Sequence, residues 1–139
     1  SRNGEPTMLT KGAHHVSLSI FDLEAAREFY GGLLGLPEIE RPQMGIQGTW
    51  YQAGPVQLHL IELPEAMRDG VVVGNSNPLA NHIAFEIEDY ASVKARLEEA
   101  GLEIQALGSS VGQIFVKDPH GNTVEFIQPG GRVGTVDPD

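Results

Sequence analysis

Two kinds of hydrophobic period alternate along the chain. Ala13 to Ile20 repeats apolar and polar positions every second residue, the period of a half-buried strand. Asp22 then offers a helix N-cap, Leu23 to about Leu34 carries helical spacing, and Gly35 is placed to close the helix. Short strands are predicted over Glu38 to Pro42, Thr49 to Ala53 and Val56 to Leu63. The order then returns. Asn81 to Glu88 alternates, Asp89 caps a helix to about Ala100, and Gly101 ends it. Strands near Glu103 to Leu107, Gln113 to Lys117 and Thr123 to Gln128 complete the set, with Asp118-Pro119-His120-Gly121-Asn122 as a turn.

This is an internal repeat of βαβββ type. HHVSLSIFDLE from His14 lies on NHIAFEIEDYA from Asn81, LLGLPEIE from Leu33 on EAGLEIQ from Glu99, and LHLIELP from Leu58 on VEFIQPG from Val124. His15 falls on His82 at an offset of 67 residues, and His59 on Glu125 at 66. The prediction is a single α+β domain of two tandem modules, residues 11–63 and 80–128, forming a curved mixed sheet around a cleft. A Gly- and Pro-containing linker spans 64–79, with a flexible arm at 1–10 and a Gly/Pro/Asp-rich tail at 129–139.

Composition narrows the partners. The chain has 139 residues, 40% hydrophobic and 20% charged, enough for one packed domain. Its 19 acidic and 9 basic residues give a net charge of −10, which argues against nucleic acid and anionic membrane surfaces. With no cysteine, disulfides, thiolate metal sites and thiol nucleophiles are excluded. No apolar run approaches the roughly 18 residues of a membrane span, and no basic segment leads into an apolar one. A cytoplasmic location is expected. Neither GxGxxG, GxxxxGK[ST] nor GxSxG occurs, so nucleotide binding and a serine nucleophile lack support.

Candidate chemistry follows from strand alternation. On the first strand His15, Ser17 and Ser19 share one face, against Val16, Leu18 and Ile20. On its repeat partner His82, Ala84 and Glu86 oppose Ile83, Phe85 and Ile87. Gln57 and His59 oppose Leu58 and Leu60, and Glu125 opposes Val124 and Phe126. The apolar face is the one a helix would cover. The other carries three imidazoles and a carboxylate, a ligand set for one divalent ion: Zn²⁺, Fe²⁺, Mn²⁺, Ni²⁺ or Co²⁺. Any one of these residues alone reads as an ordinary half-buried polar side chain. Four at repeat-equivalent positions read as metal ligands. Gln57, Trp50 and Ser17 are candidate substrate contacts; Tyr51 is the alternative to Trp50, because alternation lets only one of the two face the cleft. Glu86 could orient a ligand imidazole or be a solvated strand-end carboxylate. His14 points away from His15 and reads as exposed or structural, and His120 as a solvated turn residue. Phe21, Tyr30 and Leu33 suit helix packing. Met67 to Val73 is either a lip over the cleft or a plain connector.

The segments HHVSLSIFDLEAAREFYGGLLGL, NHIAFEIEDYASVKARLEEAGLEI and DPHGNTVEF resemble the vicinal oxygen chelate superfamily over roughly residues 12 to 128. That group includes glyoxalase I, extradiol dioxygenases, fosfomycin-resistance transferases, methylmalonyl-CoA epimerase and bleomycin-resistance proteins. The resemblance implies paired βαβββ modules around a divalent metal, with ligands at His15, His82 and Glu125. The fourth ligand is His59, or Gln57 if a one-residue bulge slips the register. It also implies a small-molecule substrate held through adjacent oxygens, an enolate-type oxyanion stabilised by the metal, and a homodimer. Glyoxalase I itself has a carboxylate where His59 stands, so Glu125 is the remaining catalytic carboxylate. The first expectation is an isomerase, epimerase or lyase on a small 2-oxo or 2-hydroxy compound. The alternatives are an Fe(II) dioxygenase using His15, His82 and Glu125, and a bleomycin-type drug-binding protein that exploits the acidic charge.

Overall fold

The computed structural model describes residues 8–69 and 81–130. The first module runs β1 (His15–Ile20), α1 (Leu23–Ala26) continued by a wider π-type turn over Arg27–Leu33, β2 (Glu38–Ile39), β3 (Gly48–Ala53) and β4 (Val56–Glu62). The second runs β5 (His82–Glu86), α2 (Tyr90–Glu99), β6 (Gln105–Ala106), β7 (Gln113–Lys117) and β8 (Thr123–Ile127). The two tandem βαβββ units are therefore present, each as its own four-stranded mixed sheet. The orders are β1-β4-β3-β2 and β5-β8-β7-β6. In both, the strand before the helix pairs in parallel with the last strand of its module, and the other pairings are antiparallel. No described helix is long and apolar enough to cross a membrane.

Local chemistry sets the element ends. Asp22 Oδ1 accepts from the Ala25 N–H at 3.1 Å and Asp89 Oδ1 from the Ser92 N–H at 3.3 Å, so both helices start on the capping aspartates. Gly35 and Gly101 take φ of 72° and 80° just past the helix ends, a left-handed conformation that glycine adopts without a Cβ penalty. The first helix departs from a regular α-helix. The Leu34 N–H reaches the Phe29 carbonyl five residues back at 2.9 Å, and the widened turn contains Gly31 and Gly32, with the Tyr51 ring against Gly31. Several expected strands also prove shorter: β2 stops at Ile39, β6 holds two residues, and Ala13 and His14 lie outside β1. The arm before residue 8, residues 70–80 of the linker and the tail after residue 130 lie outside the described residues.

Alternation assigns the faces as read. Ile20, Tyr51, Leu58 and Leu60 of the first sheet and Ile114, Val116, Val124 and Phe126 of the second pack with Ala26, Phe29, Tyr30, Tyr90 and Leu97 in one core. Side chains from the Asp118–Asn122 turn tie the modules together. Tyr30 Oη donates to Asp118 Oδ2 at 2.7 Å, Asn122 Nδ2 to the Ser19 carbonyl at 2.8 Å, and the Phe21 N–H to His120 Nδ1 at 3.1 Å. Burial, reinforced by the Asp118 charge, pushes the Tyr30 phenol far above its ordinary range, so it remains a donor. Asp118 also holds its own turn, Oδ1 accepting from the His120 and Asn122 N–H groups at 2.8 Å each.

Tyr30→Phe deletes a buried hydrogen bond to a charged acceptor while keeping the ring. It is expected to lower stability by about 1–3 kcal/mol. In urea denaturation the midpoint should fall with the slope unchanged; an unmoved midpoint would show that the modules do not depend on this bond.

Candidate functional site

The polar face of each sheet carries a pair of the predicted residues. On the first, β-pairing sets His15 opposite Gln57, and sets His59 between Ser17 and Trp50. The rings of His15 and His59 stack at 4.0 Å with 14° between planes. Trp50 stacks on the other side of His59 at 3.9 Å and 1°. Trp50 is thus the residue that faces this surface, while Tyr51 is buried in the core. His59 Nε2 stands 2.9 Å from Gln57 Oε1; an amide oxygen only accepts, so the ring nitrogen donates. His59 is 7% exposed, and burial, followed by the nearby His15, His14 and Arg41 charges, holds its pKa below the usual histidine value. His14 is exposed as expected, although its Nδ1 meets His15 Nδ1 at 2.8 Å.

On the second sheet His82 Nε2 lies 2.9 Å from Glu125 Oε1, and Gln113 Nε2 donates to Glu125 Oε2 at 2.9 Å. Glu125 is 5% exposed, and the Phe115 ring meets His82 edge-on at 5.3 Å. Gln113 is a partner of Glu125 that the sequence reading missed. The available signal was alternation in β7, which puts Gln113 on the face of Glu125. Glu86 is exposed at the end of β5, the solvated strand-end carboxylate of its two readings.

Register also compares the modules. Glu125 sits opposite Ala84, two residues beyond His82, and His59 sits opposite Ser17, two residues beyond His15. His59 and Glu125 are therefore equivalent positions, and Gln57 is the equivalent of Thr123. The structure brings His15 to His59 and His82 to Glu125 but does not join the two pairs. Among the described residues, no three His, Cys, Asp or Glu side chains of one chain come together as a metal site. The cause is packing: both sheets commit their apolar faces to the shared core, and their polar faces turn away from it. Of the Met67–Val73 stretch, the part from residue 70 lies outside the described residues.

His120 corrects the expectation of a solvated turn residue. It is 9% exposed, its Nδ1 receives the Phe21 N–H, and its buried Nε2 has no partner. Burial lowers its pKa against the opposing pull of Asp118, Asp22 and Glu62.

Residues 12–126 match the family model of the glyoxalase/bleomycin resistance protein/dioxygenase superfamily. The chain is 33% identical over 129 residues to Glyoxylase I 4 of Arabidopsis thaliana, covering 88% of this chain and 73% of that protein. It is 31% identical over 125 residues to an ethylmalonyl-CoA/methylmalonyl-CoA epimerase of Cereibacter sphaeroides, covering 84% and 87%. Among solved structures, a glyoxalase family protein from Bacillus anthracis aligns with a TM-score of 0.70 and 25% identity, over 88% of this chain and 98% of that one.

The lowered His120 pKa has a sign in stability. The unfolded chain takes up the proton near the ordinary histidine pKa of about 6.5, before the folded chain does, so stability falls as pH drops through and below that value. His120→Asn keeps an acceptor for the Phe21 N–H without titrating. Urea midpoints measured from pH 7.5 to 5.5 should fall more in the wild type than in His120→Asn. Parallel curves would show that His120 is not the group responsible.

Proposed function

Because the chain belongs to the glyoxalase/bleomycin resistance protein/dioxygenase superfamily, we propose that it is a divalent-metal-dependent isomerase, epimerase or lyase. Its substrate is a small 2-oxo or 2-hydroxy compound, and the site is completed in a homodimer. The observation that carries this reading is the division of four ligand-type side chains into two equivalent pairs, each on a polar face directed away from the core. One face offers two imidazoles and the other an imidazole with a carboxylate, so either alone supplies half of an ordinary coordination set. His15 and His59 of one copy would hold the ion with His82 and Glu125 of the other.

The donor types suit Zn²⁺, Fe²⁺, Mn²⁺, Ni²⁺ or Co²⁺. Rings stacked almost in parallel cannot both aim an in-plane lone pair at one ion, so the exposed His15 ring would have to turn to join His59, which Trp50 and Gln57 hold. When bound, such an ion acts as a Lewis acid on the substrate's adjacent oxygens. The chain's own residues do the rest. Gln113 fixes the Glu125 carboxylate through Oε2, leaving Oε1 to take and return the proton of the substrate carbon. In the resting site His82 Nε2 lies 2.9 Å from Oε1. The flat Trp50–His59 stack is a wall for the carbon skeleton, and Ser17 and Gln57 lie beside it as polar contacts.

His82→Ala is expected to lower metal content sharply. A variant lacking His15 and His59 and one lacking His82 and Glu125 should each purify without metal, yet bind it when unfolded and refolded together, because a mixed dimer regains one intact site. A mixture that stays metal-free contradicts the shared site. Solvent deuterium should exchange into a 2-oxo or 2-hydroxy substrate, and Glu125→Gln should slow that exchange by about 100-fold or more. Undiminished exchange would remove Glu125 from proton transfer.

A further inference from the structure

The polar face of the first sheet ends at a cation that the proposed ligand set does not use. Ile39 pairs with Trp50, so the two share a face, and Arg41 follows two residues on. Glu38 pairs with Tyr51 and belongs to the helix side, where Arg27 Nε meets its carboxylate at 3.2 Å. Glu38 is thus paired away from Arg41, whereas Glu40, beside it in sequence, lines the same cavity as Arg41.

The Arg41 guanidinium is held in place. Nη2 donates to the Ile46 carbonyl at 2.8 Å. The group lies on the backbone of Gly48, where a Cβ would stand 3.0 Å from both Nε and Nη2 and would collide with the Leu60 carbonyl oxygen. Glycine leaves the space that the guanidinium fills. Nε is buried and has no hydrogen-bond partner, and the group borders a cavity of about 360 Å³ between the loop and the sheet. Nη1 and the second Nη2 hydrogen remain at the outer edge of the planar fork, the geometry that pairs with a carboxylate.

We propose that Arg41 anchors a second anionic group of the substrate, a carboxylate separate from the vicinal oxygens at the histidines. This rests on the reading that substrate lies over the His59–Trp50 face. Gly48 and Trp50 are two residues apart on one strand, roughly 7 Å. That spacing fits a short dicarboxylate whose distal carboxylate lies a few bonds from its reacting carbon. In a chain of net charge −10, a cation at this rim also gives such an anion a local attractive field.

The chain's single tryptophan, Trp50, reports occupancy of this face by fluorescence. The probes are 2-oxoglutarate and 2-oxopentanoate, which share the 2-oxo acid head and chain length and differ only in the distal carboxylate. Wild-type protein should bind 2-oxoglutarate roughly tenfold or more tightly than 2-oxopentanoate. Arg41→Met should erase that preference and Arg41→Lys retain part of it, with metal content unchanged in both. Equal binding of the probes by the wild type, no binding of either, or a preference that survives Arg41→Met overturns the assignment. Failure of the metal reading looks different: wild-type protein that takes up no metal while the Arg41-dependent preference persists.

Discussion

The structure depends on the two-residue period of its strands being committed, in both modules, to a single helix-lined core. Leu58, Leu60 and Ile20 on one sheet and Val124, Phe126 and Ile114 on the other are buried against the same helices. Burying a side chain of this size stabilises by about 1.5–3 kcal/mol, so turning either sheet over would cost far more than any polar contact could return. Once the apolar faces are fixed, His15, His59, His82 and Glu125 have no choice of side. The polar pairs are a consequence of the core.

Most of the fold was legible in the sequence because its signals are local. Asp22 and Asp89 cap the helices, Gly35 and Gly101 close them, and the Asp118–Asn122 turn separates the last two strands. The face of each candidate ligand was legible too, since alternation needs only neighbouring residues. The docking of one module on the other was not. It is written in Tyr30 with Asp118, Ser19 with Asn122 and Phe21 with His120, pairs far apart in sequence whose meeting depends on three-dimensional packing. Reading alternation alone gathered four side chains into one cleft, whereas the packing keeps them as two pairs. His120 looked solvated for the same reason: a polar residue in a Gly-containing turn gives no sign that a second module will cover it. Gln113 and Arg41 were overlooked because a lone polar residue in a strand or loop is compatible with plain solvation. Each gains meaning only from its neighbour, Glu125 in one case and Gly48 in the other.

The two half-faces differ chemically in a way that fits a division of labour. The Glu125 face is compact and hydrogen-bonded, with the carboxylate clamped between His82 and Gln113. The His59 face is a stack of flat rings with a cation at its far end. Under the proposed function the first would place a proton-handling oxygen. The second would hold and orient a small planar, negatively charged molecule. Neither is a complete site, and this incompleteness carries the proposal that two copies act together.

The most direct test of that claim is native mass spectrometry of the metal-loaded protein, taken through dilution. The account predicts two chains with bound ions, and loss of the ions at the same concentration at which the dimer separates into single chains. A single chain that keeps its ion after separation would contradict it, as would a stable dimer that takes up no metal.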